Sequence, residues 1–94
     1  MESKLKRLTK KAFEDNCELQ FYLLIEECAE VQKECTKLLR NKVNNYSNFI
    51  QELADLELAI KKFKIILNHR NIDWKDKWKN KQYRDLVIME HKYG

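Results

Sequence analysis

The chain contains no proline, and its single glycine is the final residue, Gly94. Proline interrupts helices, and glycine supplies the positive φ that tight hairpin turns need. Across 94 residues, therefore, nothing stops long helices and nothing builds short β-turns. The apolar share, 44%, is too high for a disordered chain. The fold class that follows is all-α, and the length allows one domain, residues 1–94.

Capping residues and apolar spacing divide the chain. Residues 4–14 predict a short amphipathic helix with Leu5, Leu8, Ala12 and Phe13 on one side. Asn16 is the expected N-cap of a second helix reaching about Arg40. NKVNNYSN is polar and suits a turn, and Ser47 is the expected cap of a third helix reaching about Asn68. HRNID reads as a second turn, with Asp73 capping a last helix that holds Trp74 and Trp78.

In the third helix, Phe49, Leu53, Leu56, Ile60, Phe63 and Leu67 step by 4, 3, 4, 3 and 4, which is a helix-packing seam. Ile50, Ala54, Leu58 and Ile65 form a second apolar strip on nearly the opposite side. A helix apolar on two sides is buried on two sides. The expected architecture is a four-helix-type bundle with two long antiparallel helices, completed by forming a homodimer or homotetramer.

Charge is unevenly distributed. Residues 1–60 carry nine basic and eleven acidic residues, whereas residues 61–94 carry ten basic and four acidic. An acidic site facing a basic segment suits a metal–phosphate ligand, and the plainer alternative is a generic basic surface. Cys17, Cys28 and Cys35 are an odd set without metal-ligand spacing and read as reduced thiols. The charged N-terminus, MESKLKRLTKK, has no apolar core of a signal peptide, and no run approaches a membrane span. The expected location is cytoplasmic.

The stretch EECAE, Glu26–Glu30, places three carboxylates in the middle of the second helix. Glu30, Leu23, Leu24, Val31 and Leu38 all point within about 60° of Glu27, so Glu27 and Glu30 lie inside the apolar stripe. In QELAD, Glu52 lies about 60° and Asp55 about 120° from the middle of the seam. An antiparallel hairpin brings the two pairs to within roughly one turn of the same level. Glutamates on helices are usually solvated, and either motif alone has that reading. Four inward carboxylates together repel one another and require a cation among them. All-oxygen ligands suit a hard ion, Mg²⁺ or Mn²⁺. The only histidines, His69 and His91, do not follow a Glu at the spacing of di-iron bundles, and neither they nor the cysteines make a zinc set. His69 falls in a turn and reads as a surface residue.

EECAE followed by ELAD on a helical hairpin resembles the MazG-like, all-α nucleoside triphosphate pyrophosphohydrolases. The resemblance runs from AFEDNCELQFYLLIEECAEVQKECTKLLR through NFIQELADLELAIKKF and covers most of the chain. It implies Mg²⁺-dependent cleavage of an NTP or dNTP to the monophosphate and pyrophosphate, with assembly as dimers or tetramers. Glu27, Glu30, Glu52 and Asp55 match the metal ligands. Glu27 and Glu26 are the catalytic glutamates it implies, with Glu26 orienting the water or acting behind the ligands. Lys77, Lys81 and Arg84 of the last helix resemble the basic feature that follows the second motif, and a charged, exposed helix is the plainer reading of them. Gln20, which points within about 20° of Glu27, is the expected nucleotide contact. ELADLELAI lacks the Tyr-His that a phosphoribosyl-ATP-cleaving relative carries after this motif, which argues against that substrate. The expected partner is thus a nucleotide and not nucleic acid. The alternative is a helical binding protein using the basic C-terminal segment, or a nucleotide sensor with the same metal site.

Overall fold

A computed structural model of the chain describes residues 2–41 and 45–94. Among these residues every regular element is a helix: α1 (Glu2–Asp15), α2 (Cys17–Asn41), α3 (Ser47–His69) and α4 (Lys75–Tyr93). Asn16 caps α2 as expected, its Oδ1 accepting from the Leu19 N–H at 3.0 Å. Of the polar turn expected over NKVNNYSN, residues 42–44 lie outside the described residues.

Two caps differ from expectation. Ser47 is the first residue of α3 and not its cap; Tyr46 precedes the helix without a side-chain cap bond, and Asn45 Oδ1 accepts from the Ser47 N–H at 3.1 Å. Asp73 also yields its place, since Trp74 is the residue before α4. The indole explains this. Trp74 Nε1 donates to Asn68 Oδ1 at 2.7 Å, fixing the entry into α4 from the end of α3.

The turn between α3 and α4 solves the missing-glycine problem with asparagine. Asn71 has φ 57°, the left-handed conformation that asparagine tolerates best after glycine. The Asn71 N–H donates to Asn68 O at 3.0 Å and the Ile72 N–H to Leu67 O at 2.9 Å. These two bonds form the Schellman pattern, which satisfies carbonyls left open at the helix end.

Helix α2 packs on α3 and α1 packs against both, whereas α4 stands apart from the three and is met by α3 through the Lys64 side chain over Trp78. Phe21, early in α2, meets Phe63, late in α3, edge to face at 5.0 Å between ring centres. Leu38, late in α2, shares a cleft with Phe49, early in α3. Phe13, Ala59 and Ile66 form the apolar core, together with buried Thr9, Gln20 and Glu34. On α1 the inward side runs through Thr9 and Phe13, leaving Leu8 and Ala12 exposed.

The buried face of α3 centres on Ala59 and Ile66, about 80° round the helix from the middle of the expected seam. Leu53, a seam residue, is exposed. The other seam residues, Phe49, Leu56, Ile60, Phe63 and Leu67, are half-buried, so the seam flanks the buried line; periodicity located the face only coarsely because α3 is apolar on most sides. The second apolar strip keeps Ile50, Ala54 and Leu58 exposed. His69 is partly buried and not a free surface residue: its Nε2 lies 3.2 Å from Glu14 Oε1, linking α3 to α1. Trp74 and Trp78 pack on each other, with 5.4 Å between ring centres. Lys64 Nζ lies over the Trp78 ring at 4.5 Å. No residue of α4 is buried.

Candidate metal centre

The rotation of α3 toward Ala59 changes what its acids face. Measured from Ala59, Glu52 lies about 20° away and Asp55 about 40°, so both straddle the contact with α2. On α2 the matching row is Gln20, Glu27 and Glu34, each seven residues apart and on one face. Polar groups thus occupy the inward line of α2, where an ordinary bundle places Leu or Ile.

Glu27, Glu52 and Asp55 each bring a carboxylate oxygen within 4.8 Å of the others. An octahedral Mg²⁺ holds its ligands at about 2.1 Å, so adjacent oxygens around it lie about 3 Å apart. The observed spread is one side-chain adjustment from that spacing. Glu27 Oε2 is buried without a hydrogen-bond partner, an arrangement that costs free energy unless another group completes it. The residues present therefore fit a hard divalent cation: three convergent oxygens, one of them orphaned, with no lysine, arginine or histidine ion-paired to any of them among the described residues.

The fields of these acids act on Glu52. Partial burial raises its pKa above the ordinary glutamate value, and the carboxylates of Asp55, Glu30, Glu27 and Glu34 raise it further. Glu30 is thus electrostatically part of the cluster, but its oxygens fall outside the tight group of three. Glu26 is exposed.

Beside the acids lies a cleft of about 240 Å³ lined by Gln20, Leu23, Leu24 and Glu27 from α2 and by Asp55, Leu58, Ala59, Lys62 and Phe63 from α3. Gln20, 8% exposed, sits in this wall as expected. Lys77, Lys81 and Arg84 do not line it. They lie on α4, where Lys81 Nζ is paired with Asp85 Oδ1 at 2.6 Å.

Two residues of the site were not anticipated. Lys62 is seven residues after Asp55 and shares its face, so it is the cation of the cleft. Glu34 extends the Gln20–Glu27 line by another seven residues; it is 8% exposed and 3.3 Å from Lys37 Nζ. Both follow from heptad spacing continued past the ends of EECAE and ELAD. No family model, curated protein or solved structure matches the chain.

Proposed function

We propose that the cleft between α2 and α3 binds a nucleoside triphosphate through Mg²⁺ and hydrolyses it to the monophosphate and pyrophosphate. The observation that carries this reading is the convergence of Glu27, Glu52 and Asp55, with an orphaned Glu27 oxygen, beside a cleft that also holds a lysine. An isolated acidic cluster needs only a cation; an acidic cluster adjoining Lys62 and buried Gln20 suits a cation carrying an anionic, hydrogen-bonding ligand. α2 and α3 act as two long antiparallel helices of a bundle completed by a homodimer or homotetramer.

Glu27, Glu52 and Asp55 hold the ion, with Glu30 adding negative potential. Mg²⁺ or Mn²⁺ held by this donor set would neutralise the triphosphate and make a water in the cleft more acidic. Glu27, whose Oε2 is buried without a partner, takes the proton from the attacking water. Lys62 meets phosphate oxygens, and charge on the departing pyrophosphate falls within its reach. Gln20 presents an amide to the ligand, while Leu23, Leu24, Leu58 and Phe63 limit water on the apolar side. Glu26, exposed, acts at most from behind the ligands.

A panel of NTPs and dNTPs with Mg²⁺ tests this, resolving monophosphate and pyrophosphate from diphosphate and phosphate. The expected products are monophosphate and pyrophosphate, lost in Glu27→Gln and Asp55→Asn. Metal-dependent nucleotide binding without turnover favours a sensor. Neither binding nor turnover, in folded protein, refutes the reading.

A further inference from the structure

Lys77 and Lys81 do not reach the metal cleft, and they stand beside the chain's only two tryptophans, Trp74 and Trp78. Trp74 immediately precedes α4. Lys77, Trp78 and Lys81 follow it at three, four and seven residues, a spacing that puts all four on one side of the helix. With Ile72 they line an open groove of about 390 Å³. Aromatic and aliphatic groups thus share the groove with two ammonium groups, and Asp73 brings an opposing carboxylate to it.

The rings are held in place by α3. Trp74 Nε1 donates to Asn68 Oδ1 at 2.7 Å. Trp78 meets Trp74 edge to face. The Lys64 ammonium lies 4.5 Å from the centre of the Trp78 ring and 5.9 Å from that of Trp74. An aromatic surface fixed before its ligand arrives loses little freedom on binding. Charge then narrows the ligand. Residues 61–94 have six more basic than acidic residues, and that excess alone describes any solvated basic surface. The groove adds aromatic rings at the same place as the cations. Cations suit any polyanion, and rings suit any apolar group. The two together suit a chain that alternates phosphates with planar bases. In a duplex the base faces are covered by their neighbours, so an unpaired strand is the form whose faces are free.

We propose that the groove at the α3–α4 junction binds single-stranded nucleic acid, with bases stacking on the Trp74–Trp78 pair and flanking phosphates meeting Lys77 and Lys81. Lys81 exchanges Asp85 for phosphate. That pair is 2.6 Å apart but more than half exposed at both side chains, and such pairs contribute little. The site lies outside the metal cleft and uses no metal ion, so it stands or falls separately from the hydrolytic reading.

Both tryptophans line the groove, so their fluorescence reports its occupancy directly. The test is a titration of the full chain with oligothymidylate in EDTA, followed by tryptophan emission and by anisotropy of a labelled strand, across a salt series. Saturable quenching is expected, with log affinity falling against log salt by about 0.7 for each phosphate contacted. Lys77→Gln and Lys81→Gln, both at exposed positions, should each weaken binding and reduce that slope by about 0.7. Asp73→Asn should tighten binding. Trp78→Leu should weaken it about tenfold, and the lysine variants test the claim even where this one disturbs α4. Absence of quenching overturns the proposal, as does binding indifferent to both lysine substitutions, or a duplex bound as tightly as the strand. Quenching by an acidic or proline-rich peptide in place of the strand also overturns it. Strand binding lost in EDTA or in Glu27→Gln would put the strand in the metal cleft and refute the groove. Strand binding that survives both, in protein that hydrolyses no nucleotide, would uphold the groove and refute the chemistry.

Discussion

Glu52 is the residue on which the site's electrostatics converge. Burial and four neighbouring carboxylates raise its pKa in the folded chain. A carboxyl whose folded pKa exceeds its unfolded value stabilises the fold while protonated and loses that contribution as pH rises through the folded pKa. Metal-free protein should therefore lose thermal stability as pH climbs from the ordinary glutamate range through the raised value. Saturating Mg²⁺ at neutral pH should restore it. An ion at a hundred times its dissociation constant adds about 2.7 kcal/mol, which is roughly 10 °C or more for a domain of this size. Thermal denaturation against pH, with and without Mg²⁺, checks both signs. Lys62 gives a second residue-scale outcome. Lys62→Met should raise KM for the nucleotide by about tenfold or more, leave Mg²⁺ binding intact, and be rescued in part by Lys62→Arg. If Lys62 only offsets the acids, Lys62→Met should instead tighten Mg²⁺ and leave KM unchanged. The acids were legible because a carboxylate inside an apolar stripe is anomalous wherever it occurs. Lys62 and Glu34 were not, because a lysine or glutamate on a charged helix looks ordinary until the opposing helix fixes which face is inward.

At the scale of elements, helix content and the helix bounds to within one or two residues could be read from sequence, since spacing and caps are local. Asn16 is the clearest case: one side chain, one bond, one boundary. The face of α3 was not legible. Its apolar residues surround it, and only packing against α1 and α2 selects Ala59 and Ile66 over Leu53. Caps failed where a distant group intervened, as Trp74 does by bonding Asn68. Three substitutions test these local features. Asn71→Gly removes the side-chain penalty of the left-handed turn and should stabilise by up to about 1 kcal/mol, whereas Asn71→Val should destabilise by more. Thr9→Val keeps the shape of a side chain whose buried hydroxyl has no partner, and should stabilise by about 1 kcal/mol. Chemical denaturation measures all three.

At the scale of the molecule, the inward acidic cluster and the uncovered α4 arise from the same economy of chain. Ninety-four residues make a three-helix body whose central line carries Gln20, Glu27 and Glu34 in place of apolar groups. Those substitutions give up core burial in order to hold charge, and small domains have little core to spare. The isolation of α4 was not legible in the sequence, where its apolar residues are few and scattered; it emerges only once α1, α2 and α3 are seen to pack on one another.

The claim beneath all of this is that Glu27, Glu52 and Asp55 form one cation site. Calorimetric titration of the full chain with Mn²⁺, and with Mg²⁺ in competition, addresses it without assuming a substrate. The expected result is a saturable site, one ion or more per chain, weakened on the order of a hundredfold by Asp55→Asn or Glu27→Gln, in line with the cost of disturbing even a ligand's supporting group. No saturable binding at millimolar metal, or binding indifferent to both substitutions in folded protein, would contradict the account.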